Sequence, residues 1–335
     1  MARFETRNLR ELPKLRDGLS YLYFDHGRIE QQDSSIALIG APKEGGVPLE
    51  VIAVPAAALA VLMLGPGTTV THAAIKALAE NGCSVLWTGE EGQRFYAQGT
   101  GETRSAARVL KQAQAAASPE QHLRTVLRLY RMRFSESLPA NLTLQQLRGR
   151  EGVRVRDAYA RLGRETGVSW KGRLYRRDQW QQADPINRAI SAGNASLYGV
   201  VHAGVVSMGF SPALGFIHTG KQLSFVYDIA DLYKLDTVLP VAFACVAEGA
   251  EQVESRVRKM LREHFQQVRL LERLSTDLLR LFDLDPSEAD PWAGDAAAPG
   301  DLWDGDGHSV GGGRAWDEPR DDSLASDHSP DDPRF

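Results

Sequence analysis

The amino-acid sequence predicts an α+β fold: a small N-terminal β-domain, a larger all-α C-terminal domain, and an acidic disordered tail. Three observations carry this reading. Residues 19–97 hold short segments rich in β-branched and aromatic side chains, helical periodicity takes over from about Ser105, and beyond Asp290 the chain is dominated by Gly, Pro, Asp and Ser. The boundaries follow as a β-domain over 1–97, a linker over 98–104, a helical domain over 105–289 and a tail over 290–335.

In the first part, LSYLYF, IALIG, VIAV, SVLWTG and RFYA read as strands, each bounded by turn residues. The apolar run from Val47 to Leu64 contains Glu50 and Pro55 and ends at Gly65-Pro66-Gly67, which makes it too short and too interrupted to cross a bilayer and predicts buried strands. One helix interrupts the strands: THAAIKALAENG opens on Thr71 as cap and closes on Asn81-Gly82. The glycines before it lack the spacing and the lysine of a nucleotide-binding loop, so LGPGTT reads as a strand-to-helix turn, and His72 beside the cap as structural.

The second part predicts helices in RSAARVLKQAQAAA, PEQHLRTVLRLYRMRF and LTLQQLRGREGVRVRDAYARLGRETG, then over Asp184–Met208, Ser224–Tyr233, Val238–Ala247 and Glu251–Phe282. The tail is too poor in apolar residues to form a core, although Trp292, Leu302, Trp303 and Trp316 could anchor it to a partner.

With 335 residues and 43% hydrophobic content, the chain can bury a substantial core. Cys83 and Cys245 are too few for a disulfide framework or a thiolate zinc site, the start lacks the apolar stretch of a signal peptide, and a cytoplasmic protein is expected. The net charge of −4 argues weakly against a nucleic-acid partner, because it is unevenly spread. The tail from Asp290 holds 12 acidic and 3 basic residues, which leaves 31 acidic and 36 basic residues in the body. Between Gly101 and Ile190 alone, 18 Lys and Arg face 8 Asp and Glu. Arg148, Arg150, Arg154 and Arg156 crowd around Glu151, and Lys171, Arg173, Arg176 and Arg177 mix with Trp170, Tyr175 and Trp180. Guanidinium groups neutralise phosphates and aromatic rings brace unstacked bases, so this stretch reads as a DNA-binding surface.

Four polar residues stand out in that setting. Glu151 lies among arginines, His218 lies in a glycine-bounded turn, and Asp228 and Asp231 are spaced i, i+3 on one predicted helix. Each has an ordinary reading when taken singly: a charge complementing a helix start for Glu151, a loop hydrogen bond for His218, and a solvated polar edge for the aspartates. Together they offer carboxylate oxygens and one imidazole, a donor set suited to Mg²⁺ or Mn²⁺. Such an ion polarises a phosphodiester and stabilises charge growing on its oxygens. No serine, cysteine or tyrosine nucleophile has a convincing motif, so the attacking group is expected to be water or a hydroxyl of DNA.

Three stretches, LGPGTTVTHAAIKALAENGC, QLRGREGVRVRDAYARLGRETGVSWKGRLYRRDQW and LYGVVHAGVVSMGFSPALGFIHTGKQLSFVYDIADLYKLDTVLP, resemble the CRISPR-associated integrase Cas1, the catalytic subunit of spacer acquisition, in its I-E subtype form. With strand-rich flanks the resemblance runs from Leu19 to about Phe282. It implies that Glu151, His218 and Asp231 bind the metal and that Asp228 supports them. It implies that Arg94, Arg148, Arg156, Arg173 and Lys234 face DNA, with Tyr175, Trp180 and Tyr198 near the active site. His26 stands where relatives carry a tyrosine that braces the end of a DNA duplex.

The implied reaction joins the 3′-hydroxyl of captured double-stranded DNA with single-stranded 3′ ends to a phosphodiester at the edge of a CRISPR repeat, once per strand. The implied assembly is a homodimer formed through the β-domains, with four integrase subunits around two copies of a small ferredoxin-like partner, Cas2. Two other functions stay open on the residues: a stand-alone metal-dependent endonuclease acting on branched or single-stranded DNA, and a non-catalytic DNA-binding scaffold.

Overall fold

A computed structural model describes residues 21–40, 51–59, 61–89, 95–99, 106–173, 183–284, 302–303 and 309–310. Strands come first and helices after, as expected. The N-terminal part contains two four-stranded sheets. In the first, β1 (Tyr21–Phe24), β5 (Val61–Leu64) and β7 (Ser84–Thr88) run parallel, and β8 (Phe95–Gly99) closes the edge antiparallel to β7. In the second, β4 (Val51–Pro55), β3 (Ser35–Gly40) and β2 (Gly27–Gln32) form an antiparallel meander, with β6 (Thr68–Val70) parallel to β2.

The alternation of strand side chains distributes the first sheet between two cores. Leu62, Leu64 and Val85 face Ile29, Ile36 and Leu38 of the second sheet and Ala74 and Leu78 of α1 (His72–Glu80). Val61, Met63 and Leu86 point the other way, onto Ala203 in the helical part. Thr71 caps α1 by accepting from the Ala74 N–H, and Asn81-Gly82 ends it, Gly82 at φ 66°. The apolar run expected to be buried divides: β5 is buried throughout, whereas Val51 and Ile52 on the edge strand β4 are 55% and 49% exposed.

The helical part comprises α2 (Ala107–Ala117), α3 (Pro119–Met132), α4 (Leu144–Thr166), α5 (Pro185–Ser207), α6 (Ser224–Ala230), α7 (Leu239–Ala247), α8 (Val253–Gln267) and α9 (Leu270–Leu281). A short wide turn of π-helix, Lys234–Val238, leads into α7. Three differences from expectation have local causes. The helix expected over Glu251–Phe282 is broken, because Arg269 adopts φ 48° and α9 restarts from it. The helix expected over Ser224–Tyr233 ends at Ala230, which makes Asp231 its C-cap. Glu151 is not at a helix start: the capping box of Thr143 and Gln146 begins α4 seven residues earlier, and Gly167 at φ 71° ends it.

α5 is the central element. It packs against α6, α7, α8 and α9 and, through its last turns, against β5 and β7. Its glycines allow this. A Cβ on Gly204 would stand 2.4 Å from Leu274 Cδ2, and one on Gly193 would stand 2.7 Å from Val238 Cγ1. Residues up to Asp290 form one compact unit. The expected linker falls almost wholly outside the described residues, and so does most of the tail expected to be disordered. The tail residues that are described, Leu302–Trp303 and Ser309–Val310, pair as two short antiparallel strands, a departure from that expectation.

Candidate active site

The loop between α5 and α6 carries His218, and three side chains fix its path. Gln112 on α2, fully buried, donates to the carbonyls of Ser211 and Leu214 and accepts from the Ser211 N–H. His122 on α3 donates through Nε2 to the Phe216 carbonyl at 2.9 Å. Asp228 on α6 accepts from the backbone N–H groups of Phe216, Ile217 and His218 at 2.6, 3.0 and 2.8 Å. Gly215 has no room for a side chain, since a Cβ there would meet the His218 carbonyl at 2.2 Å.

The same carboxylate orients the imidazole. His218 Nδ1 donates to Asp228 Oδ1 at 2.7 Å, which leaves Nε2 for a further partner. This bond raises the His218 pKa from the ordinary imidazole value; partial burial opposes it, and Asp231 adds to it. Asp228 is fully buried, so it is not the solvated polar edge that the i, i+3 spacing left open. Its neighbours are the backbone of a loop about ten residues upstream. Its carboxylate holds the loop backbone and the His218 ring in place.

Glu151 is 8% exposed and clamped by two guanidinium groups. Arg154, one turn further along α4, grips it with Nε to Oε2 at 2.8 Å and Nη2 to Oε1 at 3.1 Å. Arg133, just past the end of α3, reaches Glu151 Oε1 from Nη1 at 3.4 Å and Asp231 Oδ2 from Nη2 at 3.2 Å. Asp231 also accepts from Lys234 Nζ at 2.6 Å. Burial pulls the Lys234 ammonium down, but the charge and hydrogen bond of Asp231 and contact with Tyr198 outweigh it and leave its pKa raised.

The donor types fit a hard divalent cation: two carboxylates and an imidazole whose Nδ1 is already held, leaving Nε2 open. Their spacing is that of a cation-clamped site. Among the described residues no three His, Cys, Asp or Glu side chains stand close enough together to hold an ion as they are. Arg133 spans Glu151 and Asp231 instead.

Beside His218 opens a cleft of about 690 Å³ lined by Arg173, Ser191, Asn194, Tyr198, Lys221, Tyr227 and Lys234 among others. Tyr198 and Tyr227 meet edge to face at 4.9 Å, and Lys234 Nζ lies 4.9 Å from the Tyr198 ring centre. The expected residues Arg173, Tyr198 and Lys234 are thus gathered at one opening with His218. Arg148 and Arg156 are exposed on α4, with Arg148 Nε 3.4 Å from the Tyr130 hydroxyl and Arg156 Nε 3.7 Å from Asp157. Arg94, Tyr175 and Trp180 lie outside the described residues. His26 is exposed at the β1–β2 turn with φ 46°, its N–H donating to the Pro66 carbonyl.

Trp170 departs from the base-bracing role read for the aromatic residues mixed into the basic stretch. It stacks on Tyr159 at 4.2 Å and packs against Phe243, as part of the helical core. Arg133, Gln112, His122, Lys221 and Tyr227 were not singled out from sequence. None belongs to a local motif, and each joins the site only through tertiary contact. Arg154 was noted only as one of a basic crowd, although its i+3 spacing from Glu151 is the signal of a side-chain pair on a helix.

The family profile described as CRISPR associated protein Cas1 matches residues 128–282, a span that contains Glu151, His218, Asp228 and Asp231. A protein of Thermus thermophilus, named CRISPR-associated endonuclease Cas1 2, is 60% identical over 308 residues, covering 91% of this chain and 93% of its own. One from Escherichia coli, named CRISPR-associated endonuclease Cas1, is 39% identical over 260 residues, covering 78% and 83%. A crystal structure described as a TtCas1–DNA complex superposes with a TM-score of 0.70 at 60% identity, covering 81% of this chain and 99% of that one.

Proposed function

The chain belongs to the Cas1 family of CRISPR-associated proteins, and from that premise we propose that it is a metal-dependent DNA integrase of CRISPR adaptation, of the I-E subtype. The observation that carries the reading is the opening of His218 Nε2 beside a cleft walled by Arg173, Lys221 and Lys234. Glu151, His218 and Asp231 would hold Mg²⁺ or Mn²⁺. When bound, the ion polarises the phosphodiester and stabilises charge on its oxygens.

The side chains of this chain supply the rest. Asp228 sets the imidazole tautomer and its direction. Arg173, Lys221 and Lys234 neutralise phosphates, while Tyr198 and Tyr227 give a wall against which a strand end can rest. Arg148 and Arg156, exposed on α4, extend the basic track, and Arg94, Tyr175 and Trp180 are proposed to contribute to it. In the reaction a DNA 3′-hydroxyl attacks phosphorus. One P–O bond forms and another breaks, and the displaced strand leaves with its own 3′-hydroxyl. Because the bonds exchanged are alike, no nucleoside triphosphate is needed.

The DNA-bound relative supports DNA as substrate. The proposed assembly is the homodimer with Cas2 in a four-to-two complex, working on double-stranded DNA with single-stranded 3′ ends and on repeat DNA, in the cytoplasm. No described helix is long and apolar enough to cross a membrane.

The word endonuclease in the relatives' names favours a second reading, hydrolysis at the same site with water as nucleophile. Labelled DNA with a 3′-hydroxyl or a 3′-deoxy end, given to the protein with repeat DNA, Mn²⁺ and Cas2, separates the two. Integration yields joined product only from the hydroxyl end and none with Glu151→Gln. Equal product from both ends would establish hydrolysis instead.

A further inference from the structure

Arg133 bridges two of the carboxylates proposed to hold the cation, Glu151 and Asp231. Its side chain is 7% exposed, its guanidinium lies 4.8 Å from the Tyr130 ring centre, and its Nε is buried without a hydrogen-bond partner. Only its two terminal nitrogens are used, one on Glu151 and one on Asp231. An arginine kept in a buried site with an unsatisfied Nε is held by charge: removing it would leave two partly buried carboxylates facing each other.

Charge counting sharpens this. Glu151 and Asp231 bring two negative charges, and Arg133, Arg154 and Lys234 bring three positive ones in direct contact with them, while Asp228 is paired with His218. A divalent cation that enters this already compensated set adds two uncompensated charges unless a resident cation yields. Arg154 touches Glu151 and Lys234 touches Asp231, whereas among the described residues Arg133 is the cation that touches both.

We propose that Arg133 is a positioning residue that serves as an internal counter-cation, holding Glu151 and Asp231 together and competing with a divalent ion for them. The proposal rests on the metal-binding reading above. Cation affinity in the absence of DNA is then set by exchange rather than by the carboxylates alone, and incoming phosphates favour the exchange by restoring the charge balance.

Mn²⁺ binding to the full-length protein without DNA, followed by electron paramagnetic resonance, tests it. Arg133→Gln is expected to tighten Mn²⁺ binding by at least about tenfold, as loss of a unit charge a few ångströms away implies, while Arg133→Lys stays near wild type. A residue that merely supported the fold would not give tighter binding when removed. Unchanged or weaker binding by Arg133→Gln overturns the proposal. Glu151→Gln separates the two readings: if it abolishes Mn²⁺ binding, the metal reading stands whatever Arg133 does, and if it binds like wild type, both fall. Should Arg133→Gln fail to fold, the wild-type protein serves. Its Arg133 Nε–H resonance, identified by its absence in Arg133→Lys, is expected to shift during Mg²⁺ titration, and a resonance that does not move overturns the proposal.

Discussion

Asp228 Oδ1 lies 2.7 Å from His218 Nδ1 and 2.8 Å from the His218 backbone nitrogen, so one carboxylate oxygen fixes both the ring and the main chain of the same residue. Asp228→Asn keeps the shape but turns an amide NH₂ towards N–H donors. It is expected to cost on the order of 3 kcal/mol of stability, measured by urea unfolding, because charge-assisted bonds are lost and buried donors are left unpaired. It is also expected to weaken Mn²⁺ binding by about 10–100-fold. Wild-type stability in this variant would mean that the carboxylate does not organise the loop.

Gln112 acts further back in the same support. Replacing it with Leu removes its hydrogen bonds to Ser211 and Leu214 without opening a large cavity, so the loss falls on hydrogen bonding. A destabilisation of about 2–4 kcal/mol is expected, together with faster hydrogen exchange at residues 209–218. Exchange unchanged in that segment would count against the anchor.

Gly215→Ala tests how tightly the loop is folded on itself. The new Cβ would meet the backbone at both His218 and Ser224, and backbone yields less easily than a side-chain tip. A cost of about 2 kcal/mol is expected, with Mn²⁺ affinity reduced more than in Gly204→Ala, whose collision is with the Leu274 side chain. Equal metal affinity in the two variants would show that His218 does not depend on this close approach.

His202, 3% exposed on α5, supplies the pH prediction: burial lowers its pKa to about 4. The unfolded chain therefore binds this proton at higher pH than the folded one. Stability from this group is complete above the unfolded value near pH 6.5 and declines as pH falls towards 4, by an amount on the order of 3 kcal/mol. Urea unfolding at pH 7 and pH 5 should show the loss in wild type and a smaller one in His202→Gln; equal losses would remove His202 as the cause.

The sequence carried the order of elements because the signals involved are local. Thr71, Asn81-Gly82 and the Thr143–Gln146 box punctuate helices wherever they occur. The strand β2, GRIEQQ, escaped notice because only Ile29 among its residues is buried, which leaves almost no alternation to read. Gly149 and Gly152 drew Glu151 towards a helix start, yet both sit within α4 with open space where a side chain would be. The resemblance supplied the ligand set. Asp228's backbone partners and Arg133's bridge could not be read, since each joins segments whose meeting depends on the whole fold.

The first sheet lends one face to the N-terminal core and the other to α5, where Val61, Met63 and Leu86 meet Ala203. A wall shared in this way joins strands and helices through one layer of buried side chains. Melting is therefore expected to run through both as a single cooperative event. A strain imposed on the strands by a neighbouring subunit would reach α5 directly, and with it the helix that carries Tyr198 into the cleft.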